Sequence, residues 1–480
     1  MSRPPQRRTK IVATLGPATD DIATLTAMIV AGVDVVRVNF SHGSSEEHTE
    51  RVNRVRQVAS QVGRNVAILG DLGGPKIRIE RFAEGKVYLD AGQDFALDPA
   101  YDPEAGTAKI VGVAYHDLPR DVRAGDVLLL NDGLIVLEVT SIRDTRIHTR
   151  VVEGGELSDR KGLNRKGGGL SAGALTAKDR ADIRIAAQLG VDYLAVSFPK
   201  NALDMHEART LLRAAGGAGL LVSKIERAEA LDHLAEIIKA SDAVMVARGD
   251  LGVEVGYAEL TGLQKRIIGE ALDQDRAVIT ATQMMESMIY HPVPTRAEVS
   301  DVANAVMDGT DAVMLSAETA VGKYPVKTVM EMVNIIQGAE KWQVGYARNR
   351  QREDGMFERT DEAIARSVMY AANHMPIRCI IALTESGSTT LWMSRIRSDI
   401  PIYAFTRHEA TRRRVALYRG VQPVAFDVVE TEPALLYSVI FHLLLDLGLA
   451  DEGDRILLTK GELSGVAGGT NSMKILEVRR

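Results

Sequence analysis

Short apolar runs rich in Val, Ile, Leu and Ala recur along the chain, and a longer stretch with apolar residues at helical spacing follows each of them. That alternation is the pattern of βα units feeding a parallel sheet. The runs are Lys10–Gly16, Asp34–Ser41, Val66–Leu72, Tyr193–Phe198, Leu221–Glu226, Ala243–Asp250, Ala277–Gln283 and Ala312–Thr319. Eight parallel strands with helical returns predict an α/β fold of the closed (β/α)8 type, because closure leaves no exposed edge. Between the third and fourth runs the texture changes to short strands such as Val127–Leu130 and Leu134–Val139, separated by turn pairs such as Asp132-Gly133. This segment predicts an inserted β-barrel lid. Its far border, Arg165-Lys166-Gly167-Gly168-Gly169, is glycine-rich and bends easily, as a hinge would. After the eighth run a polar, charged stretch from Ala347 to Thr360 precedes a fresh βα alternation, which predicts an open α/β domain. The expected partition is a catalytic barrel over 1–71 and 170–346, a lid over 72–169 and a C-terminal regulatory domain over 347–480.

Bulk properties add boundaries. A chain of 480 residues exceeds what one hydrophobic core usually supports. Its apolar share of 45% and charged share of 25% are those of ordinary globular proteins. A formal net charge of −6 gives no reason to invoke nucleic acid or a membrane surface, so the expected ligands are small molecules. Cys379 stands alone, which rules out an intrachain disulfide and fits a reducing compartment. The basic start, Met1 to Lys10, leads into an apolar stretch that ends at Gly16 without a cleavage-like tail, and no apolar run reaches the ~18 residues of a membrane span. A cytoplasmic location is expected.

Ligands of such barrels bind at the carboxyl ends of the strands, and here those ends are unusually polar. Run two closes on Arg37-Val38-Asn39-Phe40-Ser41-His42, run five on Lys224-Ile225-Glu226, run six on Arg248-Gly249-Asp250, run seven on Thr280-Ala281-Thr282-Gln283 and run eight on Ser316-Ala317-Glu318. Glu226 and Asp250 end neighbouring runs and so offer two carboxylates on one rim, the oxygen donors a hard cation such as Mg²⁺ prefers. They could equally pair with local Lys or Arg. Lys224, two residues before Glu226, faces the same side of its strand and suits an anionic substrate, or a structural ion pair with Glu226. Around Gly249, a short helix would present free backbone N–H groups to a carboxylate or phosphate, unless the glycines merely serve a tight turn. Thr282 is ambiguous, since Thr is common in strands. Pro294-Thr295-Arg296-Ala297-Glu298 reads as a capping box. In the C-terminal part, Thr384-Glu385-Ser386-Gly387-Ser388-Thr389-Thr390 lies between a strand at Cys379–Leu383 and a helix, an arrangement that can grip phosphate or simply cap the helix.

Taken in order from Thr9 to Thr319, the segments Thr9-Lys10-Ile11, Leu15-Gly16-Pro17-Ala18, Asn39-Phe40-Ser41-His42-Gly43, Lys224-Ile225-Glu226, Met245 to Glu254, Ala281-Thr282-Gln283-Met284, Pro294 to Glu298 and Met314 to Thr319 closely resemble the pyruvate kinase family. The resemblance runs almost end to end and implies transfer of a phosphoryl group from phosphoenolpyruvate to ADP, giving pyruvate and ATP. It implies that Glu226 and Asp250 hold Mg²⁺ or Mn²⁺. Lys224 and Arg37 would contact the phosphoryl group, and the Gly249 backbone and Thr282 the substrate carboxylate. Asn39, Phe40, Ser41, His42, Arg78 and Lys161 would then contact nucleotide. It further implies a homotetramer and an effector site at Thr384, Ser386, Gly387, Ser388 and Thr389 for a phosphorylated metabolite, with bacterial forms activated by AMP or a sugar monophosphate the nearest in kind. Ser388 stands where many relatives carry Arg or Lys. Asn39, Ser41 and Asp71 match the family's K⁺ ligands, but Lys76 stands where K⁺-requiring relatives have Glu, so its ammonium is expected to substitute for the monovalent cation.

Two other readings use the same residues. A Mg²⁺-dependent aldolase or lyase would employ Glu226, Asp250 and Arg37 on a pyruvate enolate but leaves the lid and Lys161 without purpose. A silent metabolite sensor would use only the C-terminal domain and leaves Lys224, Glu226 and Asp250 unexplained.

Overall fold

The computed structural model describes residues 7–343, 357, 359–461 and 468–480. All eight apolar runs form strands: β1 (Lys10–Thr14), β2 (Val35–Asn39), β3 (Ala67–Asp71), β4 (Tyr193–Val196), β5 (Leu220–Ile225), β6 (Ala243–Ala247), β7 (Ala277–Ala281) and β8 (Ala312–Leu315). They close into a parallel barrel in the order β1-β8-β7-β6-β5-β4-β3-β2. The runs look continuously apolar because both faces are buried, yet a period of two persists. Ile11, Ala13, Val36 and Val38 face the helices, while Val12, Val35, Leu69, Tyr193 and Met245 fill the interior. Capping boxes at Ser44/Glu47, Thr176/Asp179 and Thr295/Glu298 start three of the returning helices. The last of these is the box legible in the sequence.

Several runs were expected to extend further than the ladder does. After Ala247 the chain turns into the helix Arg248–Val255. After Ala281, Thr282 and Gln283 take φ of 69° and 53°, and after β4 Phe198 takes φ 57°. A left-handed backbone at a β-branched or bulky residue cannot continue a strand and stores strain. Asp250 therefore lies in the first turn of a helix and not at a strand end, while Glu226 directly follows β5.

The insertion forms a six-stranded sheet in the spatial order Leu163–Arg165, Val127–Leu130, Ile135–Arg143, Arg146–Glu153, Asp94–Asp98, Ile110–Gly112, with a two-stranded ribbon of Lys86–Leu89 and Gly155–Ser158. Leu89, Phe95, Leu128, Leu137, Ile147, Leu157 and Leu163 bring both into one core. The turn after Leu130 has positive φ at Asn131, Asp132 and Gly133 (52°, 56° and 88°), which suits a tight hairpin. At the far border Gly167, Gly168 and Gly169 take φ of 80°, 77° and 91°, angles other residues adopt only with strain.

The C-terminal sheet runs Val421–Ala425, Ile402–Thr406, Cys379–Leu383, Arg455–Gly461, Thr470–Glu477, the last strand antiparallel. It closes off the N-terminal end of the barrel. Leu417 and Tyr418 share one apolar cluster with the barrel interior, Tyr193 Oη donates to Arg414 O at 2.7 Å and Arg413 Nε lies 3.0 Å from Asp192 Oδ1. The opposite mouth is left for the site. Most of the polar stretch expected at Ala347–Thr360 lies outside the described residues.

Candidate active site

At the mouth, Lys224 points from the end of β5 into a pocket of three oxygens. Its Nζ lies 2.7 Å from Ser197 Oγ, 2.9 Å from Glu226 Oε1 and 3.2 Å from Asp71 Oδ1. The two carboxylates act as its ion-pair partners. Burial pushes the ammonium's pKa down, but Asp71 and Glu226 more than offset this and raise it above the ordinary lysine value. Asp71 is fully buried between Lys224 and Arg37, whose Nε donates to Asp71 Oδ2 at 2.6 Å. Burial alone would raise that carboxyl, but the two cations hold it below the usual carboxylate range. Arg37 Nη1 also donates to Thr14 Oγ1 at 3.2 Å.

Glu226 is 3% exposed and accepts the Phe198 N–H on Oε2 at 3.0 Å. Burial raises its pKa, Lys224 works against this, and the nearby Asp250 adds to it, so the net shift is upward. Asp250 Oδ1 accepts from Lys76 Nζ at 2.9 Å, a contact that crosses from the lid's first residues to the barrel. The structure thus places Glu226, Asp250, Lys224 and Arg37 at one mouth of the barrel and adds Lys76 to Asp250. Among the described residues no three His, Cys, Asp or Glu side chains form a closed metal cage. Two adjacent carboxylates, one of them buried, with its pKa raised by that burial and further by the other's charge, fit a Mg²⁺ ion, which commonly takes one or two protein carboxylates and completes its shell with water and substrate oxygens.

Gly249 has no positive φ and sits in the first turn of the helix, so the turn does not demand glycine. Its N–H donates to Thr282 Oγ1 at 2.9 Å, and the two groups expected to face a substrate carboxylate meet each other. Arg248, 6% exposed, ties the same corner together through Asp301 at 2.7 Å and the Thr282 carbonyl at 2.7 Å.

Asn39, at the end of β2, is in register with Asp71 on β3, and its Oδ1 accepts the Ser41 N–H at 3.1 Å. Ser41 and His42 are exposed, whereas Phe40 is 1% exposed with its ring edge-on to His48 at 5.0 Å, which leaves it no side-chain surface for a ligand. Arg78 and Lys161 lie side by side on the lid: Arg78 bridges Gly162, and Lys161 O accepts the Ile79 N–H at 3.0 Å. A void of about 20 Å³, room for one water, separates the lid from the barrel between Lys76, Asn164, Arg227, Asp250 and Glu254. The Glu254 carboxylate spans that junction, accepting from Asn164 Nδ2 at 3.3 Å and from the Ala228 N–H at 2.9 Å. In the C-terminal loop, Thr384 Oγ1 accepts the Gly387 N–H at 2.9 Å, Ser386 Oγ donates to Ser388 Oγ at 3.2 Å and Thr389 Oγ1 meets Thr470 Oγ1 at 2.8 Å.

Ser197, Phe198 and Glu254 were missed by sequence reasoning. Ser and Phe at a strand end are ordinary residue types, and the one available signal, their place at the close of run four beside Lys224's strand, was not specific.

Comparison with known proteins gives a consistent picture. The model of the pyruvate kinase barrel domain matches residues 6–329, and that of the pyruvate kinase alpha/beta domain matches 362–476. Pyruvate kinase II of Salmonella typhimurium is 53% identical over 476 residues, covering 98% of this chain and 99% of that protein. Pyruvate kinase of Haemophilus influenzae is 50% identical over 95% of this chain and 96% of its own length. Pyruvate kinase of Geobacillus stearothermophilus is 40% identical over 98% of this chain and 80% of its own length.

Proposed function

The chain belongs to the pyruvate kinase family, and from that premise we propose that it transfers the phosphoryl group of phosphoenolpyruvate to ADP by the residues gathered around Lys224. The observation that carries this reading is the ammonium of Lys224, its side chain 11% exposed, set beside Glu226 and Asp250 at the barrel mouth. Phosphoryl transfer asks a protein mainly for in-line positioning and for neutralisation of the transferring oxygens. Arg37 and Lys224 hold the phosphoryl oxygens. The P–O bond to the enol oxygen breaks as one to the terminal ADP oxygen forms, and Lys224 stabilises the enolate left behind until its methylene carbon takes a proton. Glu226 and Asp250 would hold Mg²⁺ or Mn²⁺, which supplies further charge neutralisation to phosphoryl and enolate oxygens when bound. The Gly249 N–H and the Thr282 hydroxyl turn from each other to the substrate carboxylate. Exposed Ser41 and His42, with Asn39 and the lid residues Arg78 and Lys161, hold the nucleotide. Lid closure over it excludes water as a competing acceptor.

Lys76 supports weak or absent K⁺ dependence: its ammonium meets Asp250, while Asp71 already has two cations of the protein beside it. Asn39, Ser41 and Asp71 remain the K⁺ donors if the ion is used. The hydroxyls and N–H groups of the loop at Thr384–Thr389 are the place for AMP or a sugar monophosphate as activator, in a cytoplasmic homotetramer. No helix among the described residues is long and apolar enough to cross a membrane. The deciding experiment couples pyruvate production to a dehydrogenase and measures ATP separately, from phosphoenolpyruvate, ADP and Mg²⁺. Equimolar pyruvate and ATP are expected, and absence of both would refute the proposal.

A further inference from the structure

Ser197 and Phe198 close β4, and both reach across to the pair at the end of β5. The Ser197 hydroxyl is 1% exposed and donates its one proton to Leu72 O at 2.7 Å, which leaves its lone pairs for Lys224 Nζ, also at 2.7 Å. The hydroxyl is thus locked as an acceptor toward the ammonium. Leu72 is the residue through which β3 leaves for the lid, and Gly74, two residues on, has φ 65° and no room for a side chain: a Cβ there would lie 2.6 Å from Ser197 Cβ. The next residue, Phe198, takes the left-handed backbone at φ 57° that aims its N–H at Glu226 Oε2. A strained backbone at a bulky residue persists only when its surroundings over-determine it. Here Arg227 stacks over the Phe198 ring at 5.5 Å and Gly74 approaches the same ring.

We infer that Ser197 is a positioning residue for Lys224, and that the Ser197-Phe198 corner fixes the places from which the ammonium and the Glu226 carboxylate act in phosphoryl transfer. The inference rests on the proposed function. Of the three oxygens around Nζ, two belong to carboxylates that pull the ammonium toward themselves. Glu226 must be freed from Lys224 to serve a cation, so the neutral Ser197 oxygen is the partner that can stay with the ammonium throughout the reaction. Without it Glu226 and Asp71, already 2.9 and 3.2 Å away, are the remaining partners of the three, and the ammonium follows their charge. It would then be displaced from the phosphoryl group and would compete for the carboxylate a metal needs.

The test is Ser197→Ala in the full-length enzyme, with Ser197→Cys as a second variant that keeps side-chain volume but offers only a weak acceptor. A misplacement of about 1 Å can cost on the order of a hundredfold in rate. The expected result is therefore a fall in kcat of about ten- to a hundredfold with KM for phosphoenolpyruvate little changed. The Mg²⁺ concentration for half-maximal rate should rise, and exchange of the pyruvate methyl protons with solvent should slow in step with kcat. A purely structural role would lower the melting temperature without moving the Mg²⁺ requirement, and that outcome overturns the inference. So does a folded variant whose kcat and Mg²⁺ requirement match the parent. If Ser197→Ala does not fold, Ser197→Cys decides the matter on the same readouts. An unsubstituted enzyme that makes neither pyruvate nor ATP would instead defeat the proposed function.

Discussion

Replacing Glu254 by Gln should stabilise the protein at alkaline pH and do nothing for it in mild acid. The Glu254 carboxyl is 6% exposed at the junction of the lid strand, the chain after Glu226 and the helix that carries Asp250. Burial is the first cause of its raised pKa, and the facing Glu229 adds to it, against the Ala228 N–H, the Asn164 amide and Arg227, which favour ionisation. The outcome is a carboxyl pushed from 4.5 to about 7. The native state therefore holds this proton over a pH range in which the unfolded chain has released it. Stability falls as pH rises from 4.5 toward about 7 and bears a constant penalty above that. The gap between the two values corresponds to roughly 3 kcal/mol as an upper figure. Gln fills the same volume, can accept the Ala228 N–H through its oxygen, and can donate to Asn164 if that amide reverses. With an unfolding entropy of roughly 2.1 cal/mol/K per residue, 3 kcal/mol in a chain unfolding as one unit is a shift of about 3 °C. Scanning calorimetry of parent and Glu254→Gln at about pH 8 and about pH 5 reads the difference, which should appear at the higher pH and vanish toward the lower. Equal destabilisation at both would mean that the carboxylate is ionised and favourably paired, and the burial argument would be wrong.

Lys224→Met should lower kcat by about a thousandfold or more while circular dichroism keeps the signature of the folded barrel. Its stability cost should stay below the ~3–5 kcal/mol of breaking a buried pair, because Arg37 still neutralises Asp71 and Glu226, whose pKa burial already raises, can take up a proton; retention of more than a tenth of parental kcat would remove Lys224 from the mechanism. In buffer free of K⁺, with tetramethylammonium as the salt cation, the parent should keep most of its rate and Lys76→Glu should acquire a K⁺ requirement; a collapse of the parental rate would defeat the role given to Lys76.

Burial explains why the eight barrel strands were legible. A residue run with both faces covered must be apolar throughout, and nothing else in the chain repeats that signature eight times at such spacing. The strand ends were less legible because the ladder stops where the backbone turns, and the turn at Phe198, Thr282 and Gln283 depends on positive φ that those residue types do not advertise. Lys224 and Glu226 were readable as a pair because two positions along a strand share a face. The Lys76 contact to Asp250 was not, since it joins residues 174 apart in sequence across the lid border. Asp71 was legible only through family resemblance. Its position between Arg37 and Lys224 follows from the closure of β2, β3, β4 and β5 around it, which no local pattern encodes.

The site as it stands is paired with itself. Lys224 meets Glu226 at 2.9 Å, Lys76 meets Asp250 at 2.9 Å, and the Gly249 N–H meets Thr282 Oγ1 at 2.9 Å. The first pair joins a group assigned to an anion with one assigned to a cation, the second joins the ammonium that stands in for a monovalent cation to a carboxylate assigned to the divalent one, and the third joins a donor and an acceptor that the substrate carboxylate would separate. Such pairing spares the free protein the large cost of a buried charge or polar group left without a partner. It also means that neither ligand can bind well alone. An anionic substrate that takes up the charge of Lys224 uncovers that of Glu226, and a cation that takes up Glu226 uncovers the charge of Lys224, so each ligand relieves the charge the other uncovers. On the proposed function this makes phosphoenolpyruvate and the divalent ion bind with positive coupling, and the coupling is reciprocal by linkage. The Ser197 hydroxyl takes no part in the exchange, and that constancy is why it can fix the ammonium while its charged neighbours change partners.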